Sequence, residues 1–497
     1  MSQPSQSNLL LGKTDPKHTE HPYPSIQLHP DTQHTPLHPS QSHLRPPPPT
    51  FLSSADDAQI LVSAVAYRDG HRCANTIYTA LKRATHPKRI RVAVVDQTMA
   101  EDEDTTCQAA YCQMARRNFA DETTPATNDA TGQPCPYLNQ IAFDERDAKQ
   151  SKGPVVARHY LQRLLQPADE FCLGIDGHSV FTNGWDVALL QDWTSTENEM
   201  GILTTYVHDS TPHVVRPNGD NSPHMETPHL CDVKRGGHGL PRNEGATNVR
   251  NATRPILQTK WGAGFAFGKC HAERRVPIDG RAYYIFDGEE FSRAALLWMA
   301  GYDMYSPSVY GHVLYHNYTA NKVTTTWQNH KNDNTKDEED IGVNRIKLHI
   351  GQPFRGLVDT EEMERYSVPN ERARTLDQFL NFTGVLFGTG KGAQAWQHTC
   401  PPLHWVPYKH PEIVEAVVPG WKQEVEGGIG AEPVPCETTK PERITEHHPY
   451  HETNKSVGGL SNEEFSQQVN AGLWVTNFVL VLILLCLLVD RARRKGR

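Results

Sequence analysis

Three short apolar runs rich in β-formers, at 59–67, 90–96 and 170–176, set what this chain can fold into. Each is closed by a charged residue or by a turn such as Arg68-Asp69-Gly70, so each reads as a short buried strand. Residues 73–84 and 155–165 precede the second and third runs and carry apolar side chains near helical spacing. Strand, helix, strand implies parallel pairing through a crossover. The expected fold is therefore α/β, a mostly parallel central sheet with flanking helices and ligands at the carboxyl ends of its strands. Neither a Gly-x-Gly-x-x-Gly nor a P-loop pattern accompanies these strands, which leaves a dinucleotide or NTPase site unsupported.

Composition divides the 497 residues. Residues 1–57 are rich in His, Pro, Ser and Gln and are expected to form a disordered arm. The apolar cluster Leu9-Leu10-Leu11 is shorter than the ~7–15 residues of a signal-peptide core. The globular part is expected over 58–420, with a linker at 421–470. Residues 473–489 contain no charge and precede a basic tail, 490–497. As a helix this run reaches about 26 Å, and Ala471 and Gly472 extend it toward the ~30 Å of a bilayer core. A single-pass C-terminal transmembrane helix over 471–489 is expected, with Trp474 as an interfacial anchor. The basic tail favours a catalytic part in the Golgi or ER lumen, whereas tail anchoring without a signal peptide favours the cytosolic face. A net charge of −9 argues against nucleic acid as a partner. The ten cysteines include no CxxC pair, so no zinc ribbon is suggested, and disulfides and free core thiols are both open.

The chemistry gathers after the third run. Asp176-Gly177-His178 places a carboxylate and an imidazole two residues apart. In an extended segment positions i and i+2 face the same way, so both can meet one ion. An oxygen and a nitrogen donor together suit a borderline dication such as Mn²⁺.

Followed by Trp185-Asp186, this run resembles the Asp-x-His-x-x-Phe…Trp-Asp signature of the GlcNAc-transferases that modify hydroxyproline on a ubiquitin-ligase adaptor, whose protozoan relatives act on mucin threonines. Further segments agree in order: 63–69 (SAVAYRD), 152–158 (KGPVVAR), 262–267 (GAGFAF), 286–290 (FDGEE), 316–318 (HNY) and 374–379 (RTLDQF). The resemblance covers about 58–390. It departs at Gly177, where the family usually has Ser, and at 206–255, a probable insertion rich in His, Pro, Asn and Gly.

What the resemblance implies is a glycosyltransferase A-type nucleotide-sugar-binding sandwich, a UDP-GlcNAc donor, an acceptor protein or peptide, and retention of anomeric configuration. A divalent ion would neutralise the departing diphosphate as a Lewis acid. Asp176 and His178 would supply two ligands and His316 the third, with His312 competing for that place. Arg158 would hold a phosphate or orient Asp176. Tyr67 would stack on uracil and Arg68 would reach ribose or phosphate. Glu289 or Glu290 would face the sugar, with Asp287 beside them. Asp287 is also expected to cap a helix over 289–299. Two other readings keep the same residues: a noncatalytic membrane-anchored sugar-binding protein, and a sugar-nucleotide hydrolase with water as acceptor.

Overall fold

The computed structural model describes residues 34–35 and 43–421, with breaks at 102–104, 120–123, 212–214, 223–225, 246, 319–324, 331–334, 359, 364, 367–371, 386, 388–399 and 401–402. Its centre is an eight-stranded sheet. The strands are β1 (Ile60–Tyr67), β2 (Ile90–Thr98), β3 (Ile141–Asp147), β4 (Phe171–Asp176), β6 (Gly201–Thr204), β7 (Ile256–Gln258), β8 (Phe265–Lys269) and β9 (Asp303–Ser306). Their order across the sheet is β7-β9-β6-β8-β4-β1-β2-β3. Strands β3, β2, β1 and β4 are mutually parallel, as the strand-helix alternation predicts. β8 runs antiparallel to both β4 and β6, and β7 antiparallel to β9, so the sheet is mixed at its other half. Strand β3 escapes the apolar-run criterion because it is an edge strand with the sequence IAFDERD, only partly buried.

Alternation along β1 explains the layers. Ile60, Val62, Ala64 and Ala66 face a core completed by α1 (Gly70–Lys82), α2 (Cys107–Asn118) and α4 (Trp185–Thr194). Leu61 points to the other face, where α3 (Pro154–Gln162) supplies Ala157 and Leu161. Proline at the first position of α3 follows Gly153, whose φ of 99° a side chain would strain. A second large core surrounds α5 (Glu289–Met299), which meets α6 (Lys336–His349) through Val343 and Ile346 and α7 (Leu376–Thr383) through Phe379.

Three expectations change. The arm does not run to residue 57: Thr50 N–H donates to Glu199 at 2.7 Å, Leu52 N–H to Glu170 at 2.9 Å, and Phe51 packs edge-on against Trp193. Among the described residues eight of the ten cysteines pair in disulfides, Cys73–Cys107, Cys112–Cys135, Cys172–Cys270 and Cys231–Cys400, and Cys436 and Cys486 lie outside them. The single-pass membrane localisation is withdrawn: among the described residues no helix is long and apolar enough to cross a bilayer, and 471–489, like the linker and tail, lies outside the described residues.

Candidate active site

Strand β4 ends at Asp176, and residues 177–178 turn the chain into β5 (Ser179–Phe181). This turn, rather than a continued strand, brings Asp176 and His178 together. Thr76 of α1 fixes it, its hydroxyl donating to the carbonyls of Gly177 and Ser179 and accepting from Ser179 N–H, each at 2.9 Å. A Cβ at Gly177 would stand 2.4 Å from the Val65 carbonyl oxygen, so the serine usual in related sequences has no room on this backbone.

Strand β10 (Leu314–His316) pairs antiparallel with β5 and places His316 opposite Ser179. Ligand atoms of Asp176, His178 and His316 all lie within 4.8 Å of one another. The two imidazoles meet edge to face at 4.4 Å, and His316 stacks on the exposed Tyr318 at 3.9 Å. Burial, then the neighbouring His178, push the His316 ring down to about 4, so it is neutral at physiological pH and its nitrogen lone pair is available. One carboxylate oxygen and two neutral-capable nitrogens fit a borderline dication. His312 is not one of the three: it is buried, with its ring 5.1 Å from that of His208.

Arg158 of α3 bridges to the second half of the site. It donates to Asp176 at 3.2 Å and to Glu289 at 2.8 Å, one bond each, so it does not grip Asp176 bidentately. Glu289 opens α5 after Gly288, whose φ is 87°. Burial pushes the Glu289 carboxyl up despite the opposing Arg158. Glu290 accepts from the Tyr206 hydroxyl, from Asn243 Nδ2 at 3.0 Å and from Ala263 N–H at 2.9 Å. Burial is the largest influence on Glu290 and pushes it up to about 7, against the bonds from Tyr206 and Ala263. Gly264 passes so close to Asp176 that a Cβ there would sit 3.0 Å from Oδ2. Asp287 does not cap α5; the residue before the helix is Gly288, and no side chain caps it. The Asp287 carboxylate instead accepts from Gly237 N–H at 2.5 Å and faces Arg242 at 3.4 Å. The 206–255 stretch thus reaches the site three times, through Tyr206, Asn243 and the turn around Gly237.

Tyr67 and Arg68 end β1. Both are held by Asn329 of the helical turn Thr326–Asn329: Arg68 donates to its Oδ1 at 2.6 Å, and its Nδ2 donates to the Tyr67 hydroxyl at 2.5 Å. Beside them, at the carboxyl ends of β2 and β3, lies a cavity of about 320 Å³ lined by Gln97, Asp147, Lys152, Gly153 and Tyr160. Of these contributors Tyr206, Asn243 and Asn329 carry no motif that marks them in the sequence. Asp186 is structural: Thr85 and His86 N–H groups and Arg89 all donate to its buried carboxylate, which explains why Asp follows the buried Trp185.

Three side chains that could hold a dication thus stand at the carboxyl edge of a largely parallel sheet in an α/β fold, joined by Arg158 to the buried Glu289. The chain belongs to the glycosyltransferase (GlcNAc) family, whose model matches residues 59–394. No curated protein matches it. Among solved structures it is similar to GalNAc-T7 with UDP, GalNAc and Mn²⁺, with a TM-score of 0.40 and 11% identity over 58% of this chain and 48% of that one. It is also similar to the mannosyltransferase PcManGT of Pyrobaculum calidifontis with GDP-Man and Mn²⁺, with a TM-score of 0.32 and 11% identity over 62% and 65% of the two chains. For TarS 1–349 of S. aureus the TM-score is 0.32 and the identity 10%, over 61% and 68%. The chain thus spans about half of the first of these structures, and at such scores no residue correspondence follows.

Proposed function

We propose that this protein is a divalent-metal-dependent, retaining glycosyltransferase of the A-type fold that moves N-acetylglucosamine from UDP-GlcNAc to a hydroxyl of an acceptor protein, on hydroxyproline, threonine or serine. The observation that carries it is the convergence of Asp176, His178 and His316 within 4.8 Å at the end of β4. These three would hold the dication, Mn²⁺ by donor type, which supplies Lewis-acid neutralisation of the leaving diphosphate. Arg158 adds a fixed positive charge beside them and keeps Asp176 oriented. The cavity at the ends of β2 and β3, about 320 Å³, falls in the range of small-molecule pockets, about 300–1,000 Å³, and Tyr67, whose β-partner Gln97 lines it, and Arg68 are the candidates for the base and for ribose or phosphate.

Glu289 and Glu290 are the candidates to face the sugar. Glu289 is ion-paired to Arg158 against the upward push of burial, whereas Glu290 exchanges a proton near neutrality and suits hydrogen bonding to sugar or acceptor hydroxyls. Asp287 supports this wall from the insertion side.

The test is a donor screen with the full chain, each nucleotide sugar offered with and without Mn²⁺, and mass spectrometry of acceptor peptides bearing hydroxyproline, Thr or Ser. Mn²⁺-dependent addition of one N-acetylhexosamine is the expected result. Release of UDP and free sugar with every peptide unmodified would replace the reading with a hydrolase.

A further inference from the structure

Asp69 precedes α1, where an aspartate ordinarily accepts from the N–H groups of the first helical turn. It makes no such bond. Its carboxylate, 8% exposed, is instead turned to the metal triad: His178 Nδ1 lies 3.1 Å from Oδ2. Arg72, one turn along α1, holds that carboxylate through Nε at 2.9 Å and through its terminal nitrogen at 2.7 Å. The same guanidinium donates to the carbonyl of Asn317 at 2.9 Å, and Asn317 N–H donates to the carbonyl of His178 at 2.8 Å. One carboxylate–guanidinium pair therefore secures the ring of one histidine and the backbone next to the other.

We propose that Asp69 is a positioning residue of the metal centre. A carboxylate facing Nδ1 would keep the proton on that nitrogen and leave the Nε2 lone pair free to bind a dication. His316 lacks this support: its Nδ1 is buried with no hydrogen-bond partner among the described residues. Asp69 thus acts on one imidazole of the pair and, through Arg72, limits how far the two can drift apart. The inference rests on the proposed metal role of Asp176, His178 and His316.

The experiment titrates Mn²⁺ into the full-length protein and follows loss of the free-ion EPR signal for wild type, Asp69→Ala, Asp69→Asn and Asp176→Asn. Wild type is expected to bind. Asp69→Ala should weaken Mn²⁺ affinity about 10- to 100-fold, with Asp69→Asn between the two, and saturating Mn²⁺ should restore most of the turnover of either variant. A residue that only stabilised the fold would lower the yield of folded protein and leave the Kd of the folded fraction unchanged. If Asp69→Ala does not fold, the isosteric Asp69→Asn bears the test. Affinity within about twofold of wild type, with binding lost in Asp176→Asn, overturns the role of Asp69 and leaves the metal reading standing, since loss of a partner that orients a ligating histidine costs about 10- to 100-fold. Absence of binding by wild type overturns both.

Discussion

Arg158 has Asp176 on one side and Glu289 on the other, and the two ends of that bridge are built for opposite conditions. The β4 end is half-open: Asp176 is 32% exposed and stands at a turn beside two histidines. The α5 end is closed, and its carboxyls are pushed toward their neutral forms. A group meant to hold a cation must stay charged and reachable. A group meant to contact sugar hydroxyls gains from a proton and from a rigid, water-poor setting. Carboxyl groups thus acquire different duties from the difference in their burial.

The sharpest way to break this contrast is at Asp176. Asp176→Asn keeps the shape and removes the charge, so turnover should fall by ~10³-fold or more, the scale of removing a metal's charge partner. The far-UV spectrum should not change, and wild-type rates with Mn²⁺ supplied would end the assignment. Next is the bridge itself. Arg158→Ala unties both ends and should cost about 10²-fold in kcat/KM, by analogy with lost charge-assisted contacts. A double variant with Glu289→Gln should lose less than the product of the two single effects, because the residues share one interaction.

Glu290→Gln should lower kcat by about 10- to 100-fold, the lower range for an acid–base or hydroxyl-binding group. It should also erase an inflection near pH 7 in the rate profile. Stability gives an independent reading. The folded pKa of Glu290 lies above its ordinary 4.5, so its contribution is complete below about 4.5 and is lost as pH rises through about 7. Wild type should therefore lose Tm relative to Glu290→Gln between pH 5 and 8; parallel curves would show that burial does not tune this carboxyl. Smallest is Tyr206→Phe, which deletes one donor to Glu290 and should change kcat a few-fold, about 1 kcal/mol. It should move the same inflection upward, since the Tyr206 bond is what pulls that value down.

The half-open end was legible in the sequence and the closed end only partly so. Asp176, His178 and His316, which the structure brings within 4.8 Å of one another, stand out because side chains able to bind a metal are few in kind, and the strands that carry them are visible as apolar runs. Glu289 and Glu290 were visible as residues opening a helix, but nothing local reveals that Tyr206 and Asn243 arrive from a distant insertion to fasten one of them. Asp69 illustrates the same limit. In the sequence it reads as part of the turn Arg68-Asp69-Gly70, and nothing there shows its nearness to His178. Edge strand β3 stayed hidden for a related reason: one face of it meets solvent, so its composition is polar. Asp287 shows a local rule overruled by a contact some fifty positions away in the chain, with Gly237.

The four cross-links described above have a consequence for how the molecule is made. The eight thiols of these cross-links alone can pair on the order of a hundred ways, before the two other cysteines of the chain are counted, and one combination clasps α1 to α2, β4 to the end of β8, and the insertion to residue 400. A chain produced where thiols stay reduced would forgo all of these clasps, at roughly 2–4 kcal/mol apiece. Refolding from a fully reduced state should stall in mispaired isomers until a shuffling catalyst is added, so preparation history, as much as sequence, decides whether a purified sample can work.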